Sequence, residues 1–321
     1  MKSKQVVCPE PGKVVIEEKE LDTLKEGEIL IKTQVTLISP GTERAWFLNK
    51  AEKATFPYFP GYCNVGEVIE LGPGVKEMNP DLKEGDLVVS RANHMSAAIV
   101  KADEVLKVPE NLTPEAAVYT PLAEISFQGV RKTHIDLGQS VVILGLGVIG
   151  LLAAKFAKLS GAYPLVGSDL SVYRRELSLK SGVDQAIAPG ELMSSGYDVV
   201  IDATGYPDAF KTSVELAARL GTICLLGSTR GNVDDLNIYQ IHYKGLSIIG
   251  AHDRINPEKY FDPKMWPIVK EGELFLNLLS DKVIDINGIT KDIITPEEIP
   301  SIFDRLKERD EKLLGCIIDW R

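Results

Sequence analysis

Apolar residues fall along this chain in two rhythms. Up to about residue 122 they come in short runs, VVIEE, EILIKTQVTLI, VGEVIEL, DLVVSRA and AAIVKAD, parted by turns such as Gly72-Pro73-Gly74 and Lys83-Glu84-Gly85-Asp86. Runs rich in Val, Ile and Thr between Gly/Pro turns predict strands, and together they predict a small, partly open β-barrel. From about 123 to 284 apolar strand-like runs at 141–144, 164–167, 199–203, 222–226 and 246–249 alternate with helical spacing. That order predicts a parallel, doubly wound sheet, so the fold class is α/β with a barrel domain attached. From about 285 strand- and helix-like pieces return, with a helix expected over 301–308 and a last strand over 314–320. There is no internal repeat and no low-complexity tract.

The rhythm switches most sharply between 139 and 161, QSVVILGLGVIGLLAAKFAKLSG. Ser140 and the apolar run Val141–Leu144 read as a buried strand. Leu151, Leu152, Ala154, Lys155, Phe156, Ala157 and Leu159 then recur at helical spacing, and Ser160-Gly161 ends the helix. Between them stands Gly145-Leu146-Gly147-Val148-Ile149-Gly150. A strand that turns through Gly-x-Gly-x-x-Gly into a helix is what a pyrophosphate needs. The first glycine makes the turn, the second admits the phosphates, the third lets helix and strand pack, and the helix N-terminus supplies positive field. Asp169, about 20 positions on and at the end of the next strand, can accept hydrogen bonds from an adenosine ribose diol. Its charge repels a 2′-phosphate, so NAD is expected. Arg174 and Arg175 follow it and keep NADP possible, unless they only line a solvated helix face.

Composition adds bounds. With 321 residues the chain is about two domains long, and 44% hydrophobic with 26% charged residues suits a globular enzyme. A net charge of −10 argues against nucleic acid or an anionic membrane as partner. The start has no apolar segment of signal-peptide length and no run could span a bilayer, which leads us to expect a cytoplasmic protein. Cys8, Cys63, Cys224 and Cys316 are scattered singly, as in a reducing compartment.

This order of parts resembles the medium-chain dehydrogenase/reductase superfamily of zinc-type alcohol dehydrogenase-like proteins. The resemblance also rests on Pro60-Gly61-Tyr62-Cys63-Asn64-Val65-Gly66-Glu67-Val68, the turn at 71–75, Glu84-Gly85-Asp86-Leu87-Val88, and Val200-Ile201-Asp202-Ala203-Thr204-Gly205. Leu225-Leu226-Gly227 and Ile248-Ile249-Gly250 sit where that superfamily ends its last two cofactor-domain strands. It implies a GroES-like catalytic domain over 1–122, an NAD(P)-binding Rossmann domain over 123–284 and a return over 285–321. It implies that Thr204, Gly205 and Gly227 join Gly145, Gly147, Val148, Ile149, Gly150 and Asp169 in holding the cofactor. A homodimer or homotetramer built on the edge strand at 246–249 is implied as well.

The departures from that pattern bear on the chemistry. Where zinc-dependent members carry their metal ligands, this chain has Pro40-Gly41-Thr42-Glu43, Gly61-Tyr62-Cys63 and Tyr119-Thr120-Pro121. Zinc takes at least three protein ligands, so no zinc is expected. A rearranged site from Cys63, His94 and Glu124 is the alternative. Ile38-Ser39-Pro40-Gly41-Thr42-Glu43-Arg44 is similar to the bacteriochlorophyllide dehydrogenase-like group, which also lacks the usual ligands. Without metal, a positioned hydroxyl or histidine must handle the proton. Thr42 matches the superfamily's relay hydroxyl and Tyr62 the vacated histidine position, although Thr42 could equally be a turn hydroxyl and Tyr62 a space-filler. His94, in a loop bordering the cleft, and His252, after the last sheet strand, are the other catalytic candidates. Glu43 and Arg44 read as a structural pair, Arg254 as a possible partner for an anionic substrate. The aromatic loop at 256–266 is expected to close over the substrate.

The expected activity is NAD-dependent interconversion of a secondary alcohol and its ketone, in a polyol, cyclitol or natural-product intermediate. Two other readings stay open: a zinc-free NADPH-dependent quinone or enone reductase, and a non-catalytic NAD-binding sensor.

Overall fold

The structure is a computed structural model describing residues 1–52, 54–192, 196–228, 230–253 and 266–321. It divides into two compact units, residues 1–121 with 272–321, and residues 122–271.

The first unit opens with β1 (Lys2–Val7) and β2 (Val15–Glu20), an antiparallel pair, followed by β3 (Glu28–Ile38) and α1 (Pro40–Phe47). Next come β4 (Asn64–Leu71), α2 (Val75–Met78), β5 (Leu87–Ser90), β6 (Ala97–Lys101), β7 (Leu106–Lys107) and α3 (Pro114–Ala117). α4 (Thr120–Thr133) carries the chain on into β8 (Val141–Leu144), α5 (Val148–Leu159), β9 (Leu165–Ser168), α6 (Val172–Lys180) and β10 (Gln185–Ile187). Then follow β11 (Tyr197–Asp202), α7 (Pro207–Leu216), β12 (Ala217–Leu225), α8 (Ile238–Lys244), β13 (Ser247–Gly250) and α9 (Ile268–Ser280). The first unit is completed by β14 (Thr290–Ile294), α10 (Ile299–Glu308) and β15 (Gly315–Asp319).

β3 organises the first unit. Its eleven residues pair with β4, β6 and β15, inside a sheet ordered β14-β15-β3-β4-β5-β7. The returning segment is held by burial: Phe303 of α10 meets Phe47 of α1 edge-on at 4.9 Å, among Cys8, Ile38, Ile299, Ile302, Cys316 and Ile318. The six buried Ile and Phe side chains named here each contribute roughly 1.5–3 kcal/mol.

The second unit is a six-stranded parallel sheet ordered β10-β9-β8-β11-β12-β13. β8 lies near its middle with all four residues buried, as a strand covered on both faces requires. β9 and α6 leave it on one side, β11 to β13 on the other. The strand order therefore reverses beside β8, which is where open α/β sheets bind ligands.

Several elements differ from expectation for definite reasons. β10 was not foreseen, because three residues without an apolar run carry no signal. β12 begins at Ala217 rather than 222, since Ala217 already pairs with Tyr197. α10 begins at Ile299, ahead of Pro300, because proline is tolerated in a first turn. The return to the first unit begins at Gly272, within α9, rather than near 285. No helix among the described residues is long and apolar enough to cross a membrane. Arg254 and the loop expected to close over the substrate lie outside the described residues, apart from Trp266. The Trp266 ring sits beneath the Arg131 guanidinium at 3.9 Å.

Candidate functional site

The second unit holds a candidate cofactor cradle at the end of β8. Gly145 has φ +85°, turning the chain, and its N–H donates to Ser168 O at 2.8 Å. A Cβ on Gly150 would lie 1.9 Å from Gly145 O, so helix and strand approach as closely as backbone allows. A Cβ on Gly147 would meet nothing within 4 Å. That empty space lies before the N-terminus of α5, whose cap residue Gly147 offers no side chain to the first N–H groups. Unclaimed N–H donors of Val148, Ile149 and Gly150, at the positive end of a twelve-residue helix, suit an anion.

Asp169 follows β9. Its Oδ2 accepts from Leu146 N at 2.8 Å and its Oδ1 from Ser171 N at 2.8 Å, so the carboxylate is aimed at the glycine turn. Arg175 does not line a solvated face: it donates to Asp169 O and Leu170 O at 2.7 and 3.0 Å. Arg174 stands 3.9 Å from the Asp169 carboxylate.

Across β8, β11 ends on Asp202, which is fully buried and accepts from Thr204 N and Oγ1 at 2.9 and 2.7 Å. Burial pushes its carboxyl above the ordinary range. Gly205, at φ +72°, and Gly227 pack backbone to backbone, since a Cβ on Gly227 would lie 2.5 Å from Gly205 N. Thr204, Gly205 and Gly227 thus close the other side of the turn. His252, past the end of β13, is exposed and paired with Asp253 at 2.9 Å.

The first unit brings together the remaining candidates. Ser39 stands at the N-cap position of α1 without a side-chain cap bond and Pro40 opens the helix, so Thr42, for which a turn was one reading, is helical. Tyr62 Oη donates to Ser39 Oγ at 2.8 Å. Burial, with smaller contributions from Cys63 and Glu43, raises the phenol's pKa against the opposing hydrogen bonds, so Tyr62 is neutral at ordinary pH. It keeps partial contact with solvent. His94 is fully buried, and its Nε2 meets Glu43 Oε2 at 2.9 Å. Glu43, read from sequence as a partner of Arg44, belongs to His94 instead. Arg44 donates to Leu306 O at 2.6 Å. The two missed residues are Ser39 and Glu43, and the N-cap signal Ser-Pro-x-x-Glu was the available clue.

A family profile described as zinc-binding dehydrogenase matches residues 148–262. An L-threonine 3-dehydrogenase of Pyrococcus horikoshii is 30% identical over 272 residues, spanning 71% of this chain and 76% of that protein. The chain belongs to the zinc-binding dehydrogenase family. Two solved members of the same fold are a zinc-binding dehydrogenase of Sinorhizobium meliloti with NADP bound and an alcohol dehydrogenase of Escherichia coli with NADH bound. The first superposes with a TM-score of 0.83 at 20% identity, covering 99% of both chains. The second superposes at 0.84 and 18%, again over 99% of each. This dehydrogenase is therefore a medium-chain, alcohol dehydrogenase-like oxidoreductase.

The family name raises the question of metal, which the profile match leaves open because most of it lies in the cofactor unit. In the three segments whose resemblance to zinc-dependent members suggests metal ligands, the chain presents the ring of Pro40, the Tyr62 phenol and Thr120. The Thr120 hydroxyl is buried and turned to Ala117 O at 2.7 Å. Those groups do not fit a tetrahedral zinc. Of the alternative set, Cys63 is buried, His94 Nε2 is engaged with Glu43, and Glu124 belongs to the second unit. Among the described residues no three His, Cys, Asp or Glu side chains gather as a metal site.

Proposed function

We propose that this dehydrogenase interconverts a secondary alcohol and its ketone with NAD, using the Tyr62 hydroxyl rather than zinc at the substrate oxygen. The observation that carries the reading is the Tyr62 phenol, held by Ser39 in a stretch that resembles the one where zinc-dependent members carry a histidine ligand. The glycine turn, the α5 N-terminus and Asp169 would hold the dinucleotide. Asp169 favours NAD, because a 2′-phosphate would meet its negative charge. Bound there, the nicotinamide would supply hydride acceptance from the alcohol carbon and, in the reverse direction, hydride for the ketone.

The chain's own groups handle the proton. In reduction Tyr62 or Thr42 hydrogen-bonds the carbonyl oxygen and polarises it. As hydride arrives, the Tyr62 proton passes to the developing alkoxide, whose basicity exceeds that of the phenolate. The proton is then restored from solvent. Oxidation is the reverse: the hydroxyl proton passes to a phenolate and hydride leaves. One such hydrogen bond or proton transfer contributes about 10²–10⁴-fold. L-threonine 3-dehydrogenase acts, by its name, at a carbon that bears a secondary hydroxyl, which supports the class of substrate.

The test is a panel of L-threonine, polyols, sugar alcohols, cyclitols and their ketones, followed by nicotinamide absorbance with NAD and NADP. Turnover of a secondary alcohol with NAD, reduced about 100-fold in Tyr62→Phe, supports the reading. Binding of NAD with no turnover across the panel counts against it.

We also propose a homodimer through β13. That strand ends the sheet order, and near it Leu220, Tyr239, Tyr243 and Ile248 are exposed. Ile248→Lys is expected to give a monomer by light scattering; an unchanged mass would refute this interface.

A further inference from the structure

We infer that Glu43 and His94 are positioning residues for Tyr62, a buried latch that sets the phenol against Ser39. The inference rests on the proposed role of Tyr62 and adds what places it.

Two arms meet at this pair. On one, Asn93 Nδ2 donates to Phe59 O and Gly61 O, each at 2.9 Å, and His94 N donates to Pro60 O at 2.9 Å. The Asn93–His94 loop thus grips the backbone that leads into Tyr62. Gly61 takes φ +98° against it, and a Cβ there would lie 2.5 Å from His94 N and 2.8 Å from the imidazole ring. On the other arm, Glu43 reaches back over the start of α1, where its Oε1 accepts from Ser39 N at 2.7 Å. The 2.9 Å contact of Glu43 Oε2 with His94 Nε2 ties the arms together. What the tie fixes is the 2.8 Å bond between Tyr62 Oη and Ser39 Oγ.

Both latch side chains are wholly excluded from solvent, so neither can touch a substrate, and they act through Tyr62. A carboxylate is costly to bury without partners. Glu43 has a backbone N–H, an imidazole and the N-terminus of its own helix. His94 Nδ1 has no hydrogen-bond partner. An apolar side chain would fill the same space without that cost, so the imidazole is kept for the bond that Nε2 makes.

The test uses the full-length protein labelled with 13Cζ-tyrosine, with Tyr62→Phe to assign the Tyr62 resonance. Glu43→Gln retains an acceptor for Ser39 N and a partner for His94, and is expected to leave the resonance and turnover near wild type. Glu43→Ala removes both. Should it not fold, the double substitution Glu43→Leu with His94→Leu replaces both partners by apolar groups, a change that folding tolerates far better. Either is expected to shift the Tyr62 resonance. Either should also lower kcat by on the order of 10–100-fold for the panel alcohol oxidised fastest, with KM and NAD affinity little changed. In a Tyr62→Phe background the same substitutions should cost no further turnover. An unmoved resonance, or an equal loss in both backgrounds, overturns the inference. Full turnover in Tyr62→Phe overturns the function reading itself. The two failures are distinguishable, because the resonance reports on the latch without any turnover.

Discussion

Asp169 Oδ2 accepts a hydrogen bond from Leu146 N at 2.8 Å, so the acid that follows β9 is tied to the glycine turn that follows β8. A carboxylate so placed serves two ends: it accepts from a ribose diol and it disfavours a 2′-phosphate. Asp169→Ala should therefore weaken NAD binding about tenfold, or roughly 1.4 kcal/mol, while NADP binding holds or improves. Fluorescence titration of both cofactors checks this. An unaltered NAD to NADP ratio would show that the discrimination lies elsewhere.

The second and third glycines of the turn separate folding from binding. Gly147→Ala should leave the melting temperature unchanged, since the added methyl meets nothing within 4 Å, and should abolish NAD binding, because the methyl fills the cradle. Gly150→Ala should lose both, because its methyl would stand 1.9 Å from a backbone oxygen that cannot yield. Calorimetry with and without NAD distinguishes them. Equal loss of stability in both variants would mean that Gly147 is structural.

The contrast between cofactor half and substrate half also explains what could be read from the sequence. The cradle was legible because it is local: the period switch at 139–161 and one aspartate after the next strand lie within about thirty residues. EILIKTQVTLI coincides with β3 for the same reason. The latch was not legible, since His94 and Glu43 are 51 positions apart and meet only once β3, β4 and β6 have formed. Helix α1 was missed because Pro-Gly is compatible with a turn, while the features that favour the helix are Pro40 in its first turn and Glu43 near its N-terminus. The place of Arg175 stayed open between a 2′-phosphate and a solvated face, because no sequence pattern shows a guanidinium folding back onto Asp169 O.

A phenol whose pKa is raised makes the two reaction directions respond differently to alkali. Oxidation needs the phenolate, whose fraction grows tenfold per pH unit below its pKa, so its kcat/KM should climb from pH 7 to about 10 without levelling. Reduction uses the neutral phenol and should stay flat over that range. Initial rates in both directions decide this, and Tyr62→Phe should erase the climb. A plateau near neutrality would point to a histidine, with exposed His252 the first to substitute.

The most direct measurement is metal content by mass spectrometry on active protein purified without chelator or tag, alongside NAD-dependent turnover before and after chelation. The account predicts less than about a tenth of an equivalent of zinc per chain and turnover that chelators leave intact, because Pro40, Tyr62 and Thr120 offer no ligand set. About one equivalent of zinc, with turnover lost on its removal and regained on its return, would contradict a mechanism built on Tyr62.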